Sequence, residues 1–107
     1  MIGLHKELEQ REKQGKPVRI GMIGAGQMGT DVVAEVHMMQ GIDVVVTADI
    51  DIERAVQAYA IANMEGEVVV AETAEEADRA VAAGKRVAAR DFRVVTDMKT
   101  VDVMLEA

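Results

Sequence analysis

The clearest chemical capacity in this chain belongs to the glycines of Val18-Arg19-Ile20-Gly21-Met22-Ile23-Gly24-Ala25-Gly26-Gln27-Met28-Gly29, where a short apolar segment runs straight into G-x-G-x-x-G. A pattern of helical period follows at once, and an acid, Asp49, stands twenty residues after the last glycine. That order of parts suits a loop that cradles the pyrophosphate of a dinucleotide. Gly24 permits the tight turn out of the strand. Gly26, lacking a side chain, lets a pyrophosphate approach the backbone, and Gly29 lets the following helix pack closely on its sheet. The N–H groups of Gln27 and Met28 fall in the first turn of that helix, where they have no intrahelical acceptor and face a bound phosphate.

Asp49, with Ile50 beside it, is the second anchor. A carboxylate there accepts hydrogen bonds from the adenine ribose hydroxyls and repels a 2′-phosphate, which favours NAD over NADP. No Arg follows Asp49 directly, but Arg54, within the next helix, is placed to reach a phosphate, so NADP stays open. The plainer reading of Asp49 is a solvated acid at a strand end; that of the glycine loop is a nucleotide fold that has lost its ligand.

Other chemistries fail on residue type or spacing. Asp49, Asp51 and Glu53 alternate like the start of a calcium loop, but Arg54 replaces the required glycine and Ala60 stands where the bidentate Glu belongs. Gly84-Lys85 has no glycine five residues before it, and Arg86 replaces the Ser or Thr of a P-loop, so Gly84-Lys85-Arg86 reads as a helix end. His5 and His37 share no metal-ligand spacing with each other or with acids, and His37 reads as a partly exposed flank of its helix. Without cysteine there is no disulfide framework, Cys-ligated zinc or thiol nucleophile. A net charge of −7 argues against a nucleic-acid surface. It is compatible with a dinucleotide, whose pyrophosphate is held locally by backbone N–H groups. No apolar run reaches the length of a membrane span, and the charged N-terminus does not resemble a signal peptide, so a soluble cytoplasmic protein is expected.

These groups need elements to position them. A chain of 107 residues makes one domain. With one Phe, one Tyr and no Trp, the core must come from Val, Ile, Ala, Leu and eight Met. Residues 2–14 form a charged helical arm with a thin Leu4/Leu8 stripe, ended by Gly15 and Pro17. Val18 to Ile23 is the first strand. A helix from about Met28 to Gln40 buries Met28, Val32, Val36 and Met39, and Gly41 stops it. Ile42 to Ala48 is the second strand. A helix from about Ile52 to Met64, capped by Asp51, turns Ile52, Ala55, Val56, Tyr59 and Ala60 inward. Val68-Val69-Val70 reads equally as a short strand or an apolar loop. Thr73 to Gly84 is helical, with Thr73 and Glu76 set as a capping box. Arg86 to Ala89 is the third strand, Asp91 caps a short helical turn through Thr96, and Val101 to Leu105 is the fourth strand. Glu106, at its end, falls on the nicotinamide side of such a fold. Strands alternating with helices give a parallel α/β sheet of about four strands, order 3-2-1-4, with helices on both faces. That is a Rossmann-type half of the doubly wound fold, over 17–107, behind an arm at 1–16.

The segment Lys16 to Asp31 resembles the opening of NAD(P)-dependent oxidoreductases related to homoserine dehydrogenase and to the glucose-fructose oxidoreductase family. It is most similar to the deoxyxylulose-phosphate-reductoisomerase-like members that carry a SAF domain. Those members share the charged helix before the first strand and a stretched region before the third, matched by Ala71 to Val87. Val101 to Ala107 resembles their fourth strand. The resemblance implies an N-terminal NAD(P)-binding domain whose substrate domain and catalytic residues lie outside this chain. Members of the reductoisomerase-like group are expected to use NADPH, whereas Asp49 points to NAD. The alternative is a stand-alone nucleotide-binding or regulatory module without catalysis, its apolar fourth strand covered by a partner or a second copy. A third is a scaffold with a vestigial loop.

Overall fold

A computed structural model describes residues 10, 13–15, 17–24, 27–39, 41–62, 64 and 66–106, with the backbone alone at 27–30 and 37. Five strands, β1 (Val18–Ile23), β2 (Ile42–Ala48), β3 (Val68–Val70), β4 (Arg86–Ala89) and β5 (Val103–Glu106), form one sheet in the order β3-β4-β2-β1-β5. Every pairing is parallel. The strands read as third and fourth from sequence are β4 and β5, so the expected 3-2-1-4 order is present, extended by one strand at its outer edge. Val68–Val70 therefore resolves as a strand, paired through Val69 and Val87.

Among the described residues four helices cover the sheet: α1 (Gln27–His37), α2 (Ile52–Ile61), α3 (Ala74–Ala82) and α4 (Phe92–Asp97). On one face, Val33 and Val36 of α1 and Tyr59 of α2 join Ile20, Met22 and Val44. On the other, Ala77 and Val81 of α3 and Val94 and Val95 of α4 join Val45, Val46 and Val87. A sheet covered on both faces explains why β2 is an unbroken Val-rich run. Its buried Thr47 is satisfied by donating to the Ala55 carbonyl at 2.7 Å.

Helix starts follow the sequence closely. Asp51, Thr73 and Asp91 are N-caps, accepting from the N–H groups of Glu53, Glu76 and Arg93. Helix ends and faces differ more. α1 stops at His37 and α2 at Ile61, earlier than the apolar patterns suggest. Met39 then falls beyond its helix and is exposed, and among the described side chains of α1 Val33 is fully buried, with Val36 buried beside it. On α2 the buried alanines are Ala55 and Ala58, while Ala60 is exposed. β5 begins at Val103, because Asp102 bonds Arg19 through both its carboxylate and its N–H. Gly15 and Gly84 adopt positive φ (70° and 79°), as helix stops should. Lys85 pairs with Glu67 and Arg86 with Asp43, so the small basic cluster serves structural pairing. Most of the arm, with His5, lies outside the described residues, as does the side chain of His37.

Asp78 pins α3 to the segment that leads into β5. Its carboxylate accepts from the Lys99 N–H (3.1 Å), the Thr100 N–H (3.1 Å) and the Thr100 hydroxyl (2.6 Å). Partial burial pushes this carboxyl's pKa up, but those hydrogen bonds and the Lys99 charge outweigh burial and hold it below the ordinary value. The carboxylate form is therefore favoured by folding. Its contribution is complete above the unfolded pKa of about 4 and is lost as pH falls through the lower folded value. Asp78→Ala is expected to flatten the acid-side loss of stability, read from thermal melts between neutral and acid pH. Parallel curves for variant and wild type would refute this role.

Candidate functional site

The carboxyl ends of β1, β2 and β4 finish flush. Ile23 is opposite Ala48, and Ala48 opposite Ala89. Each ladder runs one residue further: the Gly24 N–H donates to the Ala48 carbonyl at 2.7 Å, and the Asp49 N–H to the Ala89 carbonyl at 2.9 Å. Gly24, Asp49 and Arg90 thus stand in one row along the sheet's edge. They share an open cleft of about 260 Å³, completed by Ile23, Ile50 and Phe92. In open parallel α/β sheets ligands sit at this end of the strands.

Gly24 leaves β1 with φ +89°, a left-handed conformation in which a side chain is strained. α1 then starts at Gln27, so Gln27, Met28 and Gly29 supply its first turn, with the N–H groups left over by the helical pattern. Gly26 lies outside the described residues. Asp49 follows β2, and its Oδ1 accepts the Asp51 N–H at 2.8 Å. Asp51 in turn caps α2 through the Glu53 N–H at 3.1 Å. These two acids are engaged by backbone donors of their own turn. Ile50 is 93% exposed at the cleft. Among the described site residues, Gly24, Asp49 and Ile50 come together in this cleft, and Glu106 is set apart. It ends β5, opposite Ile23, on the far side of β1 from β2.

Two cleft residues escape sequence reasoning. Phe92, the chain's single phenylalanine, lies 56% exposed at the cleft instead of in the core. Arg90, exposed, lines the same cleft. The available signal was Asp91, a helix cap directly after a strand, because in a parallel sheet such a junction lies at the carboxyl edge. Arg54, read as able to reach a phosphate, approaches Asp51 at 3.7 Å at the start of its helix. Asp91 chelates Arg93 through Nε (3.0 Å) and Nη2 (2.8 Å), and that hydrogen bonding lowers the Asp91 pKa. Among the described residues no group of three or more acids and histidines is arranged to hold a metal ion. No described helix is long and apolar enough to cross a membrane.

No family model and no curated protein sequence matches the chain. A solved structure that it resembles is myo-inositol dehydrogenase from Lactobacillus casei, crystallised in complex with NAD(H) and myo-inositol. The TM-score is 0.57 at 22% identity, over 85% of this chain and 21% of that one. The chain therefore spans about a fifth of that protein's length. The likeness establishes a Rossmann-type α/β fold.

Proposed function

We propose that this chain is the NAD(P)-binding domain of an oxidoreductase, with 17–107 as the dinucleotide-binding domain and 1–16 as a helical arm. The observation that carries the reading is the flush row at the carboxyl edge. Gly24 turns out of β1 toward a helix that starts at Gln27, and Asp49 ends the adjacent strand over the same cleft. Gly24, Gly26, Gln27, Met28 and Gly29 hold the pyrophosphate, through backbone N–H groups and the helix N-terminus. Asp49 takes the adenine ribose hydroxyls, and the apolar surfaces of Ile50 and Phe92 suit a flat base. The residues present fit the cofactor by the chemistry of their donors. When bound, NAD supplies hydride transfer; this chain's own groups bind and orient it. Substrate binding and catalysis belong to a part of the protein beyond these residues.

Calorimetric titration with NAD, NADH, NADP and NADPH tests the reading. Micromolar binding of NAD or NADH is expected, and Gly26→Asp should weaken it at least about tenfold, or ~1.4 kcal/mol, by placing a carboxylate against the pyrophosphate. Unchanged affinity in Gly26→Asp would overturn the assignment of the glycine loop.

The second reading, a stand-alone binding module, is favoured by the β5 edge, where Val103 and Met104 are 45% and 47% exposed. An apolar edge strand invites pairing, which in a stand-alone module falls to a partner or to a second copy of the chain.

A further inference from the structure

The charged groups lining the Asp49 cleft are Asp49 and Arg90. They sit side by side, because the Asp49 N–H bonds the carbonyl of Ala89, the residue before Arg90. One oxygen of Asp49 is already held by the Asp51 N–H at 2.8 Å, which fixes the carboxylate toward its own turn. Arg90 also lines the adjoining hollow with Val70, Ala71 and Glu72, so its side chain stands on the ridge between two openings. The acid next to it in sequence is not its partner: Asp91 is chelated by Arg93. Among the described residues no ion pair engages Arg90, whereas Arg54, Lys85, Arg86 and Arg93 each face an acid. In a chain of net charge −7, this leaves an uncommitted guanidinium beside the acid that would meet the adenine ribose.

We infer that Arg90 admits a phosphate on the 2′-hydroxyl of that ribose, so that the cleft takes NADP(H) as well as NAD(H). The inference rests on the dinucleotide reading and deepens it. Asp49 alone would repel a 2′-phosphate. A guanidinium at the next strand end offsets that repulsion and supplies a planar fork of donors matched to phosphate oxygens. The hydroxyl of NAD needs no such partner. Arg90 therefore sets cofactor choice, and Asp49 serves both forms.

The test is calorimetric titration of wild type, Arg90→Ala and Arg90→Lys with NAD and NADP, each at low and high salt. Arg90 is exposed and makes no described hydrogen bond, so both variants should fold, as far-ultraviolet circular dichroism will verify. Arg90→Ala is expected to weaken NADP at least about tenfold and NAD by less than about threefold, with Lys restoring part of the NADP affinity as a point charge. Salt should weaken NADP more than NAD in wild type, and that difference should vanish in Arg90→Ala. Equal losses for both cofactors, or no loss for NADP, would overturn the inference and leave dinucleotide binding intact. So would a wild type that binds NAD but not NADP. A wild type that binds neither would overturn the dinucleotide reading itself, and this inference with it.

Discussion

Tyr59→Ala is expected to destabilise the fold by about 3–5 kcal/mol, a large share of what a domain of this size possesses. Tyr59 is the bulkiest of the fully buried side chains, at 1% exposure. Its ring packs in the cluster that α1 and α2 make with β1 and β2, and its hydroxyl donates to the Val87 carbonyl of β4 at 2.6 Å. One side chain thus joins a helix on one face to a strand two places along the sheet. Removing it leaves a cavity that the short side chain of Ala62, in the same cluster, cannot fill. Tyr59→Phe separates the two contributions: it keeps the ring and loses only the hydroxyl bond, at about 1 kcal/mol. Urea denaturation of both variants, followed by circular dichroism, checks the ranking.

The same residue reports on itself. Tyr59 is the chain's one tyrosine. Burial drives its pKa up, well above the ordinary 10, against the opposing pull of Thr47 and the Arg86 guanidinium. Because the folded pKa is raised, the neutral phenol's contribution is complete below the unfolded value and is lost as pH rises above it. Near-ultraviolet phenolate absorbance should therefore stay flat through the ordinary phenol range and rise only as the protein unfolds. A phenolate signal near pH 10 in still-folded protein would contradict the buried placement.

What the sequence reveals here divides by range. The N-caps Asp51, Thr73 and Asp91 and the stops Gly15 and Gly84 are legible because a cap or a left-handed turn is decided within a few residues. The turn at Gly24 is legible for the same reason. Val68-Val69-Val70 is ambiguous because three valines become a strand only when a partner lies beside them, and the partner, Arg86–Ala89, is remote in sequence. The buried face of α1 is read rightly at Val32 and Val36 but misses Val33 and runs on to Met39, because the apolar pattern continues through Met38 and Met39 after the helix has ended. The site divides in the same way. Gly24 and Asp49 carry local signatures. Arg90 and Phe92 gain their meaning from the flush ends of β1, β2 and β4, a property of strand order and register that no window of sequence contains. Asp49 and Arg90 are distant in the chain and become neighbours through a single ladder bond.

Gly21→Val is expected to cost about 3 kcal/mol, by overpacking. Gly21 is not at a turn, and its backbone needs no unusual φ. It lies in β1, where a Cβ would meet Val95 Cγ1 at 2.5 Å and Val46 Cγ1 at 3.0 Å. Val95 is 1% exposed on α4 and Val46 is fully buried on β2, so neither neighbour has free space into which to retreat. The β1–β2 register also shifts between Ile20 and Gly21, which concentrates the irregularity of the strand at the residue with no side chain. The close approach has a functional consequence. α4 carries Phe92 at its first position and is joined to Arg90 through its cap Asp91, so the depth at which Val95 sits against β1 sets where those two residues meet the cleft. Relief should come from the neighbour: Val95→Ala removes Cγ1, so Gly21→Ala in that background should cost less than in wild type. A double-mutant cycle in urea gives the coupling directly, and about 1 kcal/mol or more is expected for groups in contact. Strict additivity would show that the space at Gly21 is set by something other than Val95.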